Sequence, residues 1–377
     1  MSSVPLNAPF ASRLLHWFDQ HGRSGLPWQH PRTPYRVWLS EIMLQQTQVA
    51  AVIPYFERFV ARFPNLATLA AADSDEVMRH WAGLGYYARA RNLHAAARQI
   101  VAEHSGVFPA KFDAIVALKG VGRSTAAAIL AQAFDTPAAI LDGNVKRVLC
   151  RWAGIEGYPG EAAVNAKLWA LAESLLPEAR AADYVQAQMD LGATLCTARN
   201  PACERCPLAA DCAAHRSQRT AELPTRKPRR ERPHREAWLI LASDADGRVL
   251  LEQRPAAGIW GGLWCPPVIA LGEDRTRLLR TRFGIALMDE DAGETIAHQF
   301  THFDLSLHPL RARAEWLADS IAEPTPTAWH YPQALREGVV ALPTPVTRYF
   351  AQDAAPTDLL GHRRVASPRR RKPSSPH

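Results

Sequence analysis

Four of the six cysteines in this chain fall within seventeen residues, as Cys196-x6-Cys203-x2-Cys206-x5-Cys212. Four thiolates so close together can enclose one metal centre, and fixing the loop between them ties down the helices on either side. A cubane 4Fe-4S cluster is the leading reading. Zinc competes with it, although structural zinc sites usually bring two close ligand pairs and here Cys203 and Cys206 form the single one. Disulfide pairing is the other rival. It sits poorly with two lone cysteines, Cys150 and Cys265, and with an opening MSSVPLNAPF that has no basic segment followed by an apolar stretch. A reducing, cytoplasmic location is therefore expected.

At 377 residues the chain is long enough for two domains, each with its own core. No apolar run approaches the length of a membrane helix. The net charge of +7 suggests a polyanionic partner, yet it is unevenly spread. Arg363, Arg364, Arg369, Arg370, Arg371 and Lys372 supply six of those charges from the last seventeen residues, and the stretch Arg216 to Glu236 holds eight Arg or Lys against three Glu. Positive charge thus gathers in a linker and a tail, where it can follow phosphates without sequence preference or simply be solvated.

Residues 10–216 show helical spacing, as in Leu93, Ala96, Ala97, Ile100 and Val101, broken by Phe63-Pro64-Asn65, Gly83-Leu84-Gly85, Phe108-Pro109 and Gly120-Val121-Gly122. This half is expected to be all α. A Pro- and Arg-rich linker follows at 217–235. Beyond it, Ala237–Ala242 reads as a strand, Asp244–Gly247 as a turn and Val249–Arg254 as the returning strand, with more strand near His298–Leu310. The expected order is a tail (1–9), a helical domain (10–216), the linker, an α+β domain (236–352) and a disordered basic tail (353–377).

Three segments carry candidate chemistry. In Val37–Val49, Glu41 lies among apolar residues, where burial raises a carboxyl pKa and suits it to proton donation; a surface Glu on an amphipathic helix has the same pattern. Gln45, Gln46, Thr47 and Gln48 both donate and accept hydrogen bonds, as base-edge readers or a solvated face do. Lys119-Gly120-Val121-Gly122-Arg123-Ser124 is a tight turn opening a helix, a ready phosphate site or a structural bend. It lacks the third glycine of a Rossmann fingerprint and the Gly-Lys-Ser/Thr ending of a Walker loop. Asp142, in Leu141-Asp142-Gly143-Asn144, can cap the following helix, and a helix N-terminus favours the ionised carboxylate that would face a cationic sugar.

The glycine hairpin, an aspartate twenty residues later and the cysteine loop together resemble the helix-hairpin-helix DNA glycosylases that hold an iron–sulfur cluster. Within them, Ser40–Val49 and Gly83–Asn92 are similar to the MutY branch, the adenine glycosylases. The endonuclease III branch has a lysine where this chain has Ser124, and serine cannot form the imine of a lyase. The resemblance covers roughly residues 10–350.

The resemblance implies a multidomain fold: a six-helix barrel lobe (28–136), a 4Fe-4S lobe (the N-terminal segment and 137–216), and an α+β Nudix-like domain marked by Gly258–Trp264. It implies a monomeric hydrolase of adenine mispaired with 8-oxoguanine or G in double-stranded DNA, the base being flipped out of the stack. Glu41 would protonate adenine, Asp142 would stabilise the sugar cation or trap it, and Asn144 and Ser124 would support them. Trp28 and Gln186 match pocket positions. Gln46, Thr47 and Tyr86 match residues that wedge into the helix, Gly120 and Gly122 grip the backbone, and Phe300-Thr301-His302 matches the loop that senses the lesion. The REXXEE box of a Nudix pyrophosphohydrolase is missing near Arg282-Phe283-Gly284-Ile285, so this domain is expected to read damage rather than hydrolyse nucleotides. Lys119 stands where the family hairpin commonly has Pro. An oxidised-pyrimidine glycosylase with lyase activity and a non-catalytic cluster protein are the rival readings.

Overall fold

The computed structural model describes residues 9–227, 231–317 and 326–352. The basic tail at 353–377, residues 1–8 and linker residues 228–230 lie outside the described residues. Two compact units divide between Glu231 and Arg232.

The first unit is helical, with α1 (Phe10–His21), α2 (Pro34–Leu44), α3 (Val49–Arg62), α4 (Leu66–Ala71), α5 (Ser74–Trp81), α6 (Ala88–Glu103), α7 (Phe112–Val116), α8 (Arg123–Phe134), α9 (Gly143–Ala153), α10 (Ala162–Ser174), α11 (Ala181–Thr194) and α12 (Ala213–Arg216). No helix among the described residues is long and apolar enough to cross a membrane. α8 is the central one. Its Ala126, Ala127, Ala128 and Ala131 are buried, and such small side chains let α2 and α11 both pack closely against it. α2 begins where Thr33 accepts the Arg36 N–H at 3.3 Å and Pro34 occupies the first turn. Its Val37, Trp38, Leu39, Ile42 and Met43 are all buried, so Glu41 has little choice of surroundings. On α6 the expected stripe holds for Leu93, Ala96, Ala97 and Ile100, but Val101 is 40 % exposed. It lies about 80° further round the helix than Leu93, at the edge of the apolar face.

The second unit is a mixed sheet. Its elements are β1 (His234–Ser243), β2 (Val249–Gln253), β3 (Trp264–Cys265), β4 (Val268–Ala270), α13 (Arg275–Phe283), β5 (Ile285–Ala292), β6 (Ile296–Gln299), β7 (Asp304–Trp316), β8 (Thr327–His330), α14 (Pro332–Arg336) and α15 (Thr344–Gln352). The expected β1–β2 turn forms, its Asp244 carboxylate accepting the N–H groups of Asp246 and Arg248. The long partner of β1 is β7, parallel from His234↔Asp304 to Ser243↔Arg313, a pairing that local pattern does not announce. Leu279 and Phe283 of α13 pack on Ile240, Ile285 and Leu310. α13 carries four arginines and no acid. The fully buried Glu252 of β2 is held between Arg254, at 2.8 Å, and Arg282 of α13, so that carboxylate is neutralised by guanidinium groups of the protein itself.

Candidate active site

A cavity of about 500 Å³ opens in the first unit, and Trp28, Glu41, Thr47, Asp142, Asn144 and Gln186 all line it. Residues as far apart as Trp28 and Gln186 therefore line one cavity, while Ser124 and Gln46 line a neighbouring chamber with Glu41 and Asp142. Glu41 is brought in by α2 and held by α8: Gln132 Nε2 donates to its Oε1 at 2.7 Å. Burial pushes the Glu41 carboxyl up to about 7, opposed by the Gln132 hydrogen bond and reinforced by the nearby charge of Asp142. A carboxyl with that affinity holds and releases a proton near neutral pH.

Asp142 caps α9, its Oδ1 accepting the Val145 N–H at 2.7 Å. The expected cap is present, but its expected electrostatic consequence is outweighed. Burial raises the Asp142 pKa, and the hydrogen bonds from Val145 and Asn144 together with the nearby Arg147 charge lower it without cancelling that effect. A cation arriving in the cavity would restore the preference for the anion. Ser124 acts on the approach to this residue: its hydroxyl accepts the Leu141 N–H at 2.9 Å and fixes the backbone one residue before Asp142. Gly192 of α11 lies so close to α9 that a Cβ there would sit 2.5 Å from Asn144 Cβ. α9 can approach α11 this tightly because that position has no side chain.

The walls contain residues that sequence reasoning missed. Asp190 is wholly buried and accepts from Arg23 N, Nε and Nη2 at 2.6–2.8 Å and from Gln186 Nε2 at 2.7 Å, fixing two cavity side chains at once. The rim is set by Arg89. Its guanidinium donates to the carbonyls of Met43, Gln45 and Gly85 at 2.7, 2.5 and 3.2 Å and to Thr47 Oγ1 at 3.0 Å. Gln46 (φ 58°) and Tyr86 (φ 49°), both exposed, are in left-handed conformations costing about 1 kcal/mol or more each. Arg89 clamps the backbone beside both.

Residues 39–174 match the HhH-GPD superfamily of base excision DNA repair proteins, residues 196–212 the iron–sulfur binding domain of endonuclease III, and residues 237–352 the NUDIX domain. The adenine DNA glycosylase of Buchnera aphidicola subsp. Acyrthosiphon pisum is 34 % identical, over 90 % of this chain and 96 % of its own length. The chain belongs to the adenine DNA glycosylase family. The human adenine DNA glycosylase is 37 % identical over 68 % of this chain and 56 % of its own length. The Nudix-like half of this glycosylase and its helical half are thus both accounted for, and the enzyme acts in base excision repair on DNA.

A 4Fe-4S cluster is the cofactor of such a chain, and the thiols here fit one. Cys196, Cys203, Cys206 and Cys212 line one small cavity with Leu195, Ala202 and Ala209. Among the described residues no group of three or more His, Cys, Asp or Glu is arranged to hold a single metal ion. Four thiols facing one common space are the donor set that an iron–sulfur cluster takes. Desolvation pushes the Cys206 thiol up to about 12 and also raises Cys203 and Cys212, so four thiolates need a strongly cationic centre between them. Arg151 Nη1 donates to Cys196 Sγ at 3.4 Å and to the Thr197 carbonyl at 2.7 Å. One turn earlier, Arg147 donates to the Cys196 carbonyl at 2.7 Å and to Asn144 Oδ1 at 2.8 Å. When bound, the cluster would cross-link the loop that these arginines join to the helix capped by Asp142.

Gly120 and Gly122 stand in the turn between α7 and α8, as the hairpin reading expects. Gly120 has φ +78°, and a Cβ there would lie 2.7 Å from Asn92 Cβ, so the turn needs glycine; Gly122 caps α8. In the second unit, Phe300 N–H donates to the Phe303 carbonyl at 2.9 Å and closes a turn with Thr301 and His302 exposed at its tip. The rings of Phe303, His298 and Trp260 pack around Phe300 at 4.6, 4.7 and 5.7 Å and hold that tip.

Proposed function

We propose that this glycosylase is a monofunctional monomer that hydrolyses the N-glycosidic bond of adenine mispaired with 8-oxoguanine or G. The observation that carries this reading is that a proton-holding Glu41 and a helix-capping Asp142 line one cavity together. Extruded adenine enters the cavity beside Trp28 and Gln186. Glu41 protonates the base and makes it a better leaving group. Asp142, as the anion, faces the sugar cation before water enters, with Asn144 and Ser124 holding it in place. No lysine lines the cavity or the chamber beside it, and Lys146 lines a neighbouring groove, so at most weak lyase activity is expected.

In this reading Gln46, Thr47 and Tyr86 wedge into the duplex, the Gly120–Gly122 hairpin holds backbone, and Thr301 and His302 on the Phe300 turn read the oxidised base. Single-turnover rates on duplexes with adenine opposite 8-oxoguanine, G and T test it. Release is expected to be at least about 10-fold faster opposite 8-oxoguanine than opposite G, a difference of about 1.4 kcal/mol in barrier, and absent opposite T. Equal rates opposite all three would remove the lesion from the specificity.

Arg89 offers a second check, on the rim. Lysine keeps the charge but cannot reach the same fork of acceptors. Arg89→Lys is expected to cost about 2–4 kcal/mol of stability, from buried carbonyls left unpaired, and to weaken binding of mispaired duplex. Unchanged melting and binding would mean that the clamp is dispensable.

A further inference from the structure

Beside the reaction cavity lies a second depression of about 390 Å³, and Arg147 and Ala198 line both. Its remaining wall comes from the start of α9, from Tyr158–Gly160 and from the segment 223–227. We propose that this groove is a phosphodiester track for the strand that carries the target adenine, with Lys146, Arg226 and Lys227 as its cations. The proposal rests on the cavity being the base-release pocket.

Three observations carry it. The first is charge. Five Lys or Arg line the groove and no acid does. Arg147 and Arg151 spend their guanidinium groups on protein oxygens and Cys196, whereas the side chains of Lys146, Arg226 and Lys227 make no hydrogen bond or ion pair among the described residues. The second is position. Gly143, the first residue of α9, lines both this groove and the chamber beside Glu41 and Asp142. A nucleotide whose sugar faces Asp142 therefore brings its neighbouring phosphate to the head of the groove, where an eleven-residue helix presents its positive end.

The third is rigidity. Composition reads residues 217–235 as a linker, yet Leu223 is 3 % exposed and its carbonyl accepts from Arg151 Nε at 2.8 Å. Two residues on, Thr225 Oγ1 accepts the Gly157 N–H at 3.2 Å. The chain leading to Arg226 and Lys227 is thus anchored on the first unit, and those two cations are placed rather than trailing. An open groove with cations on anchored backbone suits a phosphate chain, which is bound by charge without base readout.

The test uses the full-length, iron-loaded protein and its Arg226→Ala/Lys227→Ala double variant. Kd is measured for a duplex carrying a stable abasic analogue opposite 8-oxoguanine, across a salt series from about 50 to 200 mM. Each lost phosphate contact should reduce the slope of log Kd against log salt by about 0.9, so the variant's slope should fall by about 2. The release rate at saturating enzyme should stay unchanged, because neither residue lines the cavity. Retained iron absorbance and melting temperature exclude misfolding; should the double alanine variant fail that control, Arg226→Gln/Lys227→Gln is measured instead. An unchanged slope in a folded variant overturns the groove. A reduced slope in a protein that never releases adenine would uphold the groove and sink the reading of the cavity, so the two failures are separable.

Discussion

Asp142→Asn is expected to lower single-turnover adenine release by about 10³-fold or more, equivalent to about 4 kcal/mol of barrier, while DNA binding persists. Asparagine is as good an N-cap as aspartate, and its Oδ1 can still accept the Val145 N–H that Asp142 accepts at 2.7 Å. The substitution therefore removes a charge and leaves α9 in place. Circular dichroism and iron content should match the wild type. Release within a few-fold of wild type would take Asp142 out of the chemistry and leave it as a cap.

Glu41→Gln should do two things that pull in opposite directions. Glutamine fills the same space beside Gln132 but brings no acidic proton, so release should fall by about 10²–10⁴-fold, the usual worth of a general acid. Stability should move the other way. Burial raises the Glu41 pKa from an ordinary 4.5 to about 7, so the folded state holds the proton more tightly than the unfolded chain does. The cost of ionising it in place is absent below about pH 4.5, grows as pH rises and is complete above pH 7, where it amounts to roughly 3 kcal/mol. The variant should consequently melt roughly 5–10 °C higher than wild type at pH 8, with the gap closing towards pH 5. For the wild type, the same titration predicts that release declines as pH climbs through about 7. A flat rate from pH 6 to pH 9, or a stability gap between variant and wild type no larger at pH 8 than at pH 5, would show that Glu41 does not hold the proton.

Residues whose role depends on local spacing were legible in the sequence. The Asp142 cap follows from Asp-Gly-Asn before an amphipathic run, whereas the apolar residues around Glu41 on α2 left a buried and a surface carboxyl both open. The four cysteines announce their shared cavity by spacing alone. Residues that act through distant packing were not legible. Asp190 meets Arg23 across 167 positions, Gln132 meets Glu41 across 91, and Arg89 reaches back more than 40 residues to the end of α2. Nothing in an Arg within Tyr86-Tyr87-Ala88-Arg89 signals that its guanidinium will be taken up by carbonyls from two separate turns. The same limit applies to the sheet. The β1–β2 turn is written in Asp244–Gly247, whereas the parallel β1–β7 ladder pairs residues about seventy positions apart. The raised pKa of Asp142 escaped for a related reason: the cap is local, but the burial that outweighs it comes from α11 and the cavity walls.

Two carboxyl groups, Glu41 and Asp142, are proposed to release adenine without an amine. A duplex carrying adenine opposite 8-oxoguanine, incubated with iron-loaded enzyme and divided between alkali, borohydride and no treatment, tests it most directly. Strand cleavage at the adenine position is expected after alkali, none without it, with little or no borohydride-trapped complex. Adenine left in place, or trapping and alkali-independent cleavage that keep pace with base release, would contradict it.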